Sequence, residues 1–188
     1  MLNTEQIKEN YSKYFEMAKK YNFFTDSLAD VLGENFISAP ASTQVDYNNA
    51  FEGGLCDHIL RVTRTALTIN KGLPEDLKID MGKIIKVGFL HQIGKTNLFK
   101  KLASVWHNER GIMYEFNNDM ISMSVSERSI FMIQKAGIPL DEIEHQAILN
   151  YNKPNDDKQA KLHTNLLGVL IRHANELSVI EEQMKLKK

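Results

Sequence analysis

Residues 53–71 read GGLCDHILRVTRTALTINK, and their pattern sets the central element of the fold. The apolar side chains recur at steps of three and four residues: Leu55, Ile59, Val62, Ala66 and Ile69. That spacing places them on one face of an α-helix. Two glycines open the stretch, and Gly72 and Pro74 follow it. The pattern therefore predicts a long amphipathic helix that begins and ends within these bounds.

Helical signals also occur on both sides of this segment. Further helices are predicted over about 4–20 with Asn3 as cap, 25–33, 79–91, 124–136, from Asp141 to before Pro154, and 158–182. Residues 36–52 are rich in small polar residues and are predicted to form a loop. The stretch over 105–123 lacks a helical period, and its alternation after Gly111 is compatible with one small β-hairpin.

These elements predict an all-α bundle of about seven helices. The chain has 188 residues, which is enough for one domain with a full core but a tight fit for two. We therefore expect a single domain over 1–188, in which the N-terminal helices within 1–35 pack on a core formed by 53–182.

Composition excludes several classes of protein. The net charge of −1 argues against an extensive nucleic-acid surface, which needs clustered Lys and Arg. A single cysteine, Cys56, excludes both an intramolecular disulfide and a zinc site made of cysteines. The sequence has neither an apolar signal core nor a run of 18 apolar residues, so no membrane association is expected. The expected location is the cytoplasm, or a host cytoplasm if the origin is viral.

Three of the six histidines fall at positions that favour burial. His58 lies beside the apolar stripe of its helix, His91 ends the apolar helix over 79–91, and His173 is predicted on the apolar face of the last helix. Imidazoles that face a common core can serve together as metal ligands. Taken singly, each is more often a core histidine whose hydrogen bonds are satisfied.

Six segments together resemble one protein family. They are APAST at 39–43, YNNAFEGGL at 47–55, GGLCDHILRV at 53–62, FLHQIGK at 89–95, WHNERGIMYEFN at 106–117 and SERSIFMIQKAGIPL at 126–140. In order and spacing they resemble the HD-domain superfamily of metal-dependent phosphohydrolases, and within it a branch of bacterial and phage proteins. The resemblance implies an all-α fold and a metal site with His58 as its first ligand and His91 as the histidine of the His-Asp pair.

The matched ligand positions depart from the family pattern. The aspartate of the pair is Gln92, and the late-helix aspartate is Asn175 in RHANELS. After the Ala-Ile pair, where the branch has His-Asp-Gly, the chain has Tyr151-Asn152-Lys153, and an expected histidine at 48 is Asn48. Hard divalent cations need anionic oxygen ligands, and amides supply no charge. We expect no cofactor or, at most, a weakly bound Mn, Fe, Mg or Zn ion.

Four other side chains are candidate replacements for the missing ligands. Asp57 adjoins His58, but neighbouring side chains on a helix diverge by about 100°, so Asp57 is expected to face away. His145 lies too far before Tyr151 to match the family's third histidine. His107 and Asp119 flank the irregular segment and could fold over the pocket.

Basic residues suggest where a phosphate group would bind. The resemblance places Lys95 and Arg128 near a phosphate-bearing ligand, and Arg61 and Arg64 lie one turn apart on the helix of His58. Arg binds phosphate bidentately and Lys binds it as a point charge. A solvated helix face is the competing interpretation of Arg61 and Arg64.

Three functions remain open from sequence alone. The first is a degenerate HD protein that binds a nucleotide, another phosphate ligand or a protein without turnover. The second is a working metal-dependent phosphohydrolase, on nucleotides or other phosphate esters, with an unusual ligand set. The third is an assembly component that forms a homo-oligomer or binds a partner, through its long first helix for example.

Overall fold

The computed structural model describes residues 2–153 and 165–186, and it is predominantly helical, as the sequence predicts. The α-helices are α1 (Thr4–Lys20), α2 (Asp26–Leu32), α3 (Asn35–Ser38), α4 (Gly54–Lys71), α5 (Met81–Leu90), α6 (Val105–Glu109), α7 (Val125–Lys135), α8 (Glu142–Asn150) and α9 (Leu166–Leu186). Two 3₁₀ turns, Glu75–Leu77 and Ile93–Lys95, follow α4 and α5 respectively. The predicted start of the last helix, including Leu162, lies outside the described residues.

Helix starts are determined by local hydrogen bonds that the sequence predicts. Asn3 and Gln6 form a reciprocal capping box at the start of α1. Ser124 and Glu127 do the same for α7, as expected from their spacing. Asp141 caps α8, with Glu144 completing a third capping box. In each case a side chain satisfies a backbone N–H that has no partner within the helix.

Helix α4 lies at the centre and contacts α9, α5 and α1. One continuous cluster of buried apolar side chains extends from Tyr14 in α1 to Ala174 in α9. At its centre the ring centroid of Tyr14 lies 4.8 Å from that of Phe36 and 4.9 Å from that of Phe89. The apolar face of α1 is therefore buried within the chain itself, where α1 contacts α3, α4 and α5.

The small sheet is confirmed, but its first strand lies before the predicted range. Strand β1 (Phe99–Lys101) pairs antiparallel with β2 (Tyr114–Phe116), with Phe99 opposite Phe116. Helix α6 lies in the connection, so the pair is not joined by a tight turn. The predicted loop over 36–52 contains the end of α3 and a single bridge from Gln44 to Ile112. None of the described helices is long and apolar enough to cross a membrane.

Candidate functional site

His58 lies at the interface of α4 and α9, and its side chain is fully buried. Its Nδ1 lies 2.9 Å from Oε1 of Glu182, and its Nε2 lies 3.0 Å from Oδ1 of Asn175. Because a carboxylate and an amide oxygen both accept, the two contacts call for hydrogens on both ring nitrogens. His58 and Glu182 thus form a buried ion pair, in which the carboxylate side chain is 1% exposed.

Helix geometry explains why Asn175 and Glu182 reach the same ring. The two residues are seven positions apart on α9, which is about two turns, so their side chains share one face. That face is turned toward α4. Asn48, from the loop before α4, adds its Nδ2 at 3.4 Å from His58 Nδ1, so the position where the family is expected to have a histidine does lie beside His58.

The end of α5 brings His91 and Gln92 to the same place. His91 donates from Nδ1 to the carbonyl oxygen of Gly88 at 2.7 Å, and its Nε2 has no hydrogen-bond partner. Burial, together with the neighbouring His58, lowers the pKa of His91 to about 3. His91 is therefore neutral at pH 7. The ring of Tyr151 stands edge-on to it, with centroids 4.8 Å apart.

Gln92 links the two halves of the site. Its Nε2 donates to Asn175 Oδ1 at 2.8 Å, while its Oε1 is buried without a hydrogen-bond partner. Asn175 Oδ1 thus accepts from Gln92 and from His58 together. We call the chain of contacts Glu182–His58–Asn175–Gln92 the His58 network. It joins α4, α5 and α9.

The turn after Gln92 is held closely against α7. Ser129 donates from its hydroxyl to the His91 carbonyl at 3.0 Å and accepts from the Gly94 N–H at 2.9 Å. A Cβ at Gly94 would lie 2.5 Å from the Val125 carbonyl oxygen, so a larger residue cannot occupy this position without moving the helix. The glycine of FLHQIGK therefore allows the close approach that fixes His91 and Gln92.

Lys95 follows in the same turn and is the cation of the site. Its Nζ donates to the carbonyl oxygen of Ala41 at 2.7 Å. Desolvation lowers its pKa to about 8, although the nearby Glu182 carboxylate acts in the opposite direction. Its ammonium is thus mostly charged at pH 7 and partly removed from water, as suits a residue that binds an anion.

The donor set does not fit a hydrolytic metal centre. His91 Nε2 and Gln92 Oε1 have free lone pairs, but His58 Nε2 carries a hydrogen and Asn175 Oδ1 already accepts two. The two imidazoles and two amides supply no negative charge, and the Glu182 carboxylate contacts Nδ1 of His58, the opposite ring nitrogen from the one beside Asn175. Within residues 2–153 and 165–186, no group of three or more His, Cys, Asp and Glu side chains is arranged to hold a metal ion.

Several basic and polar candidates lie apart from the His58 network. Arg128 donates to the carbonyl oxygen of Ile121 and lines a cavity beside β2. Asn152 accepts from the Ser126 hydroxyl at 3.1 Å. Arg61 reaches the network from outside, with Nε 3.3 Å from Glu182 Oε1, and Arg64 is mostly exposed. The sequence grouped the three arginines with Lys95 as phosphate-binding candidates and gave Asn152 as a degenerate metal-ligand position. Of these four residues, Arg61 contacts the network, through Glu182.

The prediction for His173 is wrong. Its side chain is 56% exposed and lies 3.5 Å from Glu176 on the solvent face of α9, because the buried face is the one that carries Asn175 and Glu182. His107 contacts Ser104 within its own helical turn, and Asp119 pairs with Lys100 at the surface. Neither of these two supplies a ligand to the network.

Asp57 faces away from the network, as predicted. It accepts from Asn49 at 2.9 Å and pairs with Arg61 at 3.1 Å. Glu182 is the residue that sequence reasoning missed. Its position two turns after Asn175 places it on the same helix face, but its sequence neighbours, Glu181 and Gln183, are polar and do not indicate burial.

Comparison with known proteins gives a distant relative and no family assignment. No protein-family model matches the chain, and no solved structure matches it. The chain is 24% identical, over an alignment of 200 positions, to dihydroneopterin 2',3'-cyclic phosphate phosphodiesterase of Methanocaldococcus jannaschii. The alignment covers 96% of this chain and 75% of that protein. This similarity is consistent with the resemblance of the sequence to metal-dependent phosphohydrolases.

Proposed function

We propose that this chain is a phosphodiesterase-like protein that binds a phosphate ester at the His58 network without hydrolysing it. A 2',3'-cyclic phosphate ester is the favoured ligand class, since the name of the distant relative gives a 2',3'-cyclic phosphate as its substrate. Lys95 supplies the cation for the phosphate. One observation carries the proposal: Asn175 Oδ1 accepts hydrogen bonds from both His58 and Gln92. Neither this oxygen nor Nε2 of His58 is then free to bind a metal ion.

Hydrolysis through a metal is not supported by these side chains. A metal-bound water becomes a nucleophile at neutral pH because the cation lowers its pKa, which requires a firmly held ion. Hydrolysis without a metal would need a general base near neutral pH. His91 has the free nitrogen, but its pKa of about 3 makes it a weak base. His58 has no free ring nitrogen in the network.

Turnover and binding of 2',3'-cyclic GMP test the proposal. We expect no hydrolysis after incubation with Mn²⁺, Fe²⁺, Mg²⁺ or Zn²⁺ in turn, and saturable binding by titration calorimetry. Lys95→Gln should weaken binding at least about tenfold, because one charged contact to phosphate is lost. Lys100→Gln, an exposed lysine paired with Asp119, is the matched control and should bind as the unaltered protein does. Absence of binding would refute the ligand-binding role.

An active phosphodiesterase is the second candidate, favoured by one specific observation. His91 Nε2 and Gln92 Oε1 are both buried and lack hydrogen-bond partners, an arrangement that a ligand or cation would satisfy. If 2',3'-cyclic GMP is opened in a metal-dependent manner and His91→Ala abolishes the reaction, this second function replaces the first.

A further inference from the structure

A second cavity lies between α1 and α4. Its volume is about 340 Å³, and it is open to solvent. Apolar side chains from three helices line it: Met17, Leu60, Leu67 and Phe89. The cavity is large enough for a small organic ligand. None of the four residues of the His58 network is among its described lining residues, and Arg61, which lines it, contacts the network through Glu182.

Cations surround this cavity. Lys13, Arg61, Arg64 and Lys71 line it, and Asp57 is the one acidic side chain among its described lining residues. The three cations of α4 share a face because they follow one another at steps of three and seven residues. In a chain with a net charge of −1, this is a local concentration of positive charge.

Part of this positive charge is not neutralised by neighbouring acids. Arg61 is held by Asp57 at 3.1 Å and Glu181 at 2.7 Å. Arg64 lies 3.8 Å from the same Glu181, and its side chain is 67% exposed. Among the described residues, neither Lys13 nor Lys71 makes an ion pair. Three cations around one apolar cavity are thus available to an anion.

We infer that this cavity, called the α1–α4 groove from here on, binds a small amphipathic anion. The aliphatic body of the ligand would lie on the apolar floor, and its phosphate or carboxylate head would lie among the cations. The floor excludes water from the body of the ligand, which favours an alkyl chain over a fully polar anion. The cations select the head by charge, and Arg64 offers a bidentate contact. The inference goes beyond the proposed function, because it concerns different residues and a different ligand class.

Titration calorimetry with octyl phosphate tests the inference on the full chain. We expect one saturable site, with affinity at least about tenfold higher than for inorganic phosphate or octanol, because both the head and the body contribute. Octanoate serves as a second probe, and tighter binding of either head supports the groove and identifies its ligand. No saturable binding of either amphiphile overturns the inference.

Three variants assign any binding to the groove. Arg64→Ser combined with Lys71→Ser should weaken octyl phosphate binding by about tenfold or more, and both residues are exposed enough for the fold to tolerate the changes. Lys135→Ser, an exposed lysine on α7, is the matched control and should leave binding unchanged. Loss of binding in Lys95→Gln alone would place the ligand at the His58 network and overturn the assignment to the groove.

Discussion

The two sides of α4 are built on different physical principles. Toward α1 and α5 it contributes aliphatic side chains to a core that contains Tyr14, Phe36 and Phe89, where shape and apolar area matter. Toward α9 it contributes His58, and the interface contains an ion pair and two amides. Apolar packing tolerates a change of partner of similar size. A buried polar network tolerates few substitutions, because a group that loses its partner there cannot form a replacement hydrogen bond with water.

Glu182→Ala should give the largest loss of stability. The substitution leaves a buried His58 without its counter-ion, and breaking one partner of a buried pair costs about 3–5 kcal/mol. Glu181→Ala is the matched control, because Glu181 is 40% exposed although it also pairs with Arg61, and it should cost about 1 kcal/mol or less. Urea denaturation measures both, and equal losses would show that the α9 side has no special sensitivity.

Asn175→Ala should cost less, about 1–3 kcal/mol, because it removes the shared acceptor of His58 and Gln92 but no formal charge. Glu176→Ala, one position further on the exposed face of α9, should be nearly neutral. The same denaturation experiment compares the two. If Asn175→Ala leaves the free energy of unfolding unchanged, the network contributes nothing to the stability of the α4–α9 interface.

The ionisation of Lys95 should appear as a pH dependence of stability. Its pKa is about 8 in the folded protein and near the ordinary 10.5 when unfolded. Between these values the unfolded state binds more protons, so this residue's contribution to stability rises with pH. From pH 7 to pH 10, we expect wild type to gain about 2–3 kcal/mol relative to Lys95→Met. A constant difference between the two proteins would show that Lys95 keeps an ordinary pKa.

Tyr14→Phe should give the smallest effect, on the apolar side of α4. The hydroxyl donates to the Phe89 carbonyl oxygen at 3.1 Å, and its loss should cost about 1 kcal/mol while the aromatic packing is kept. Thermal unfolding of the pure protein is sufficient to measure it. A loss as large as that of Glu182→Ala would contradict the contrast between the two sides.

The helices could be predicted from sequence because their signals are local. The apolar periodicity predicted α4. The capping residues Asn3 and Ser124 predicted the first residues of α1 and α7 to within one position. The contact of His58 with Asn175 required the packing of α4 on α9, 117 positions apart, which the family resemblance anticipated and periodicity alone does not. Glu182 was missed because nothing local distinguishes a buried glutamate from an exposed one on a helix rich in charge.

Metal content tests the central claim most directly. Elemental analysis would compare wild type with the double variant Gln92→Asp and Asn175→Asp, each incubated with Mn²⁺, Fe²⁺ or Zn²⁺ after purification without chelator. Two carboxylates at these positions supply the missing negative charge. They also remove the hydrogen bond that Gln92 donates to residue 175. We predict no metal above background in wild type and near-stoichiometric metal in the double variant, lost again on His58→Ala. Stoichiometric metal in wild type, dependent on His58, would contradict the account.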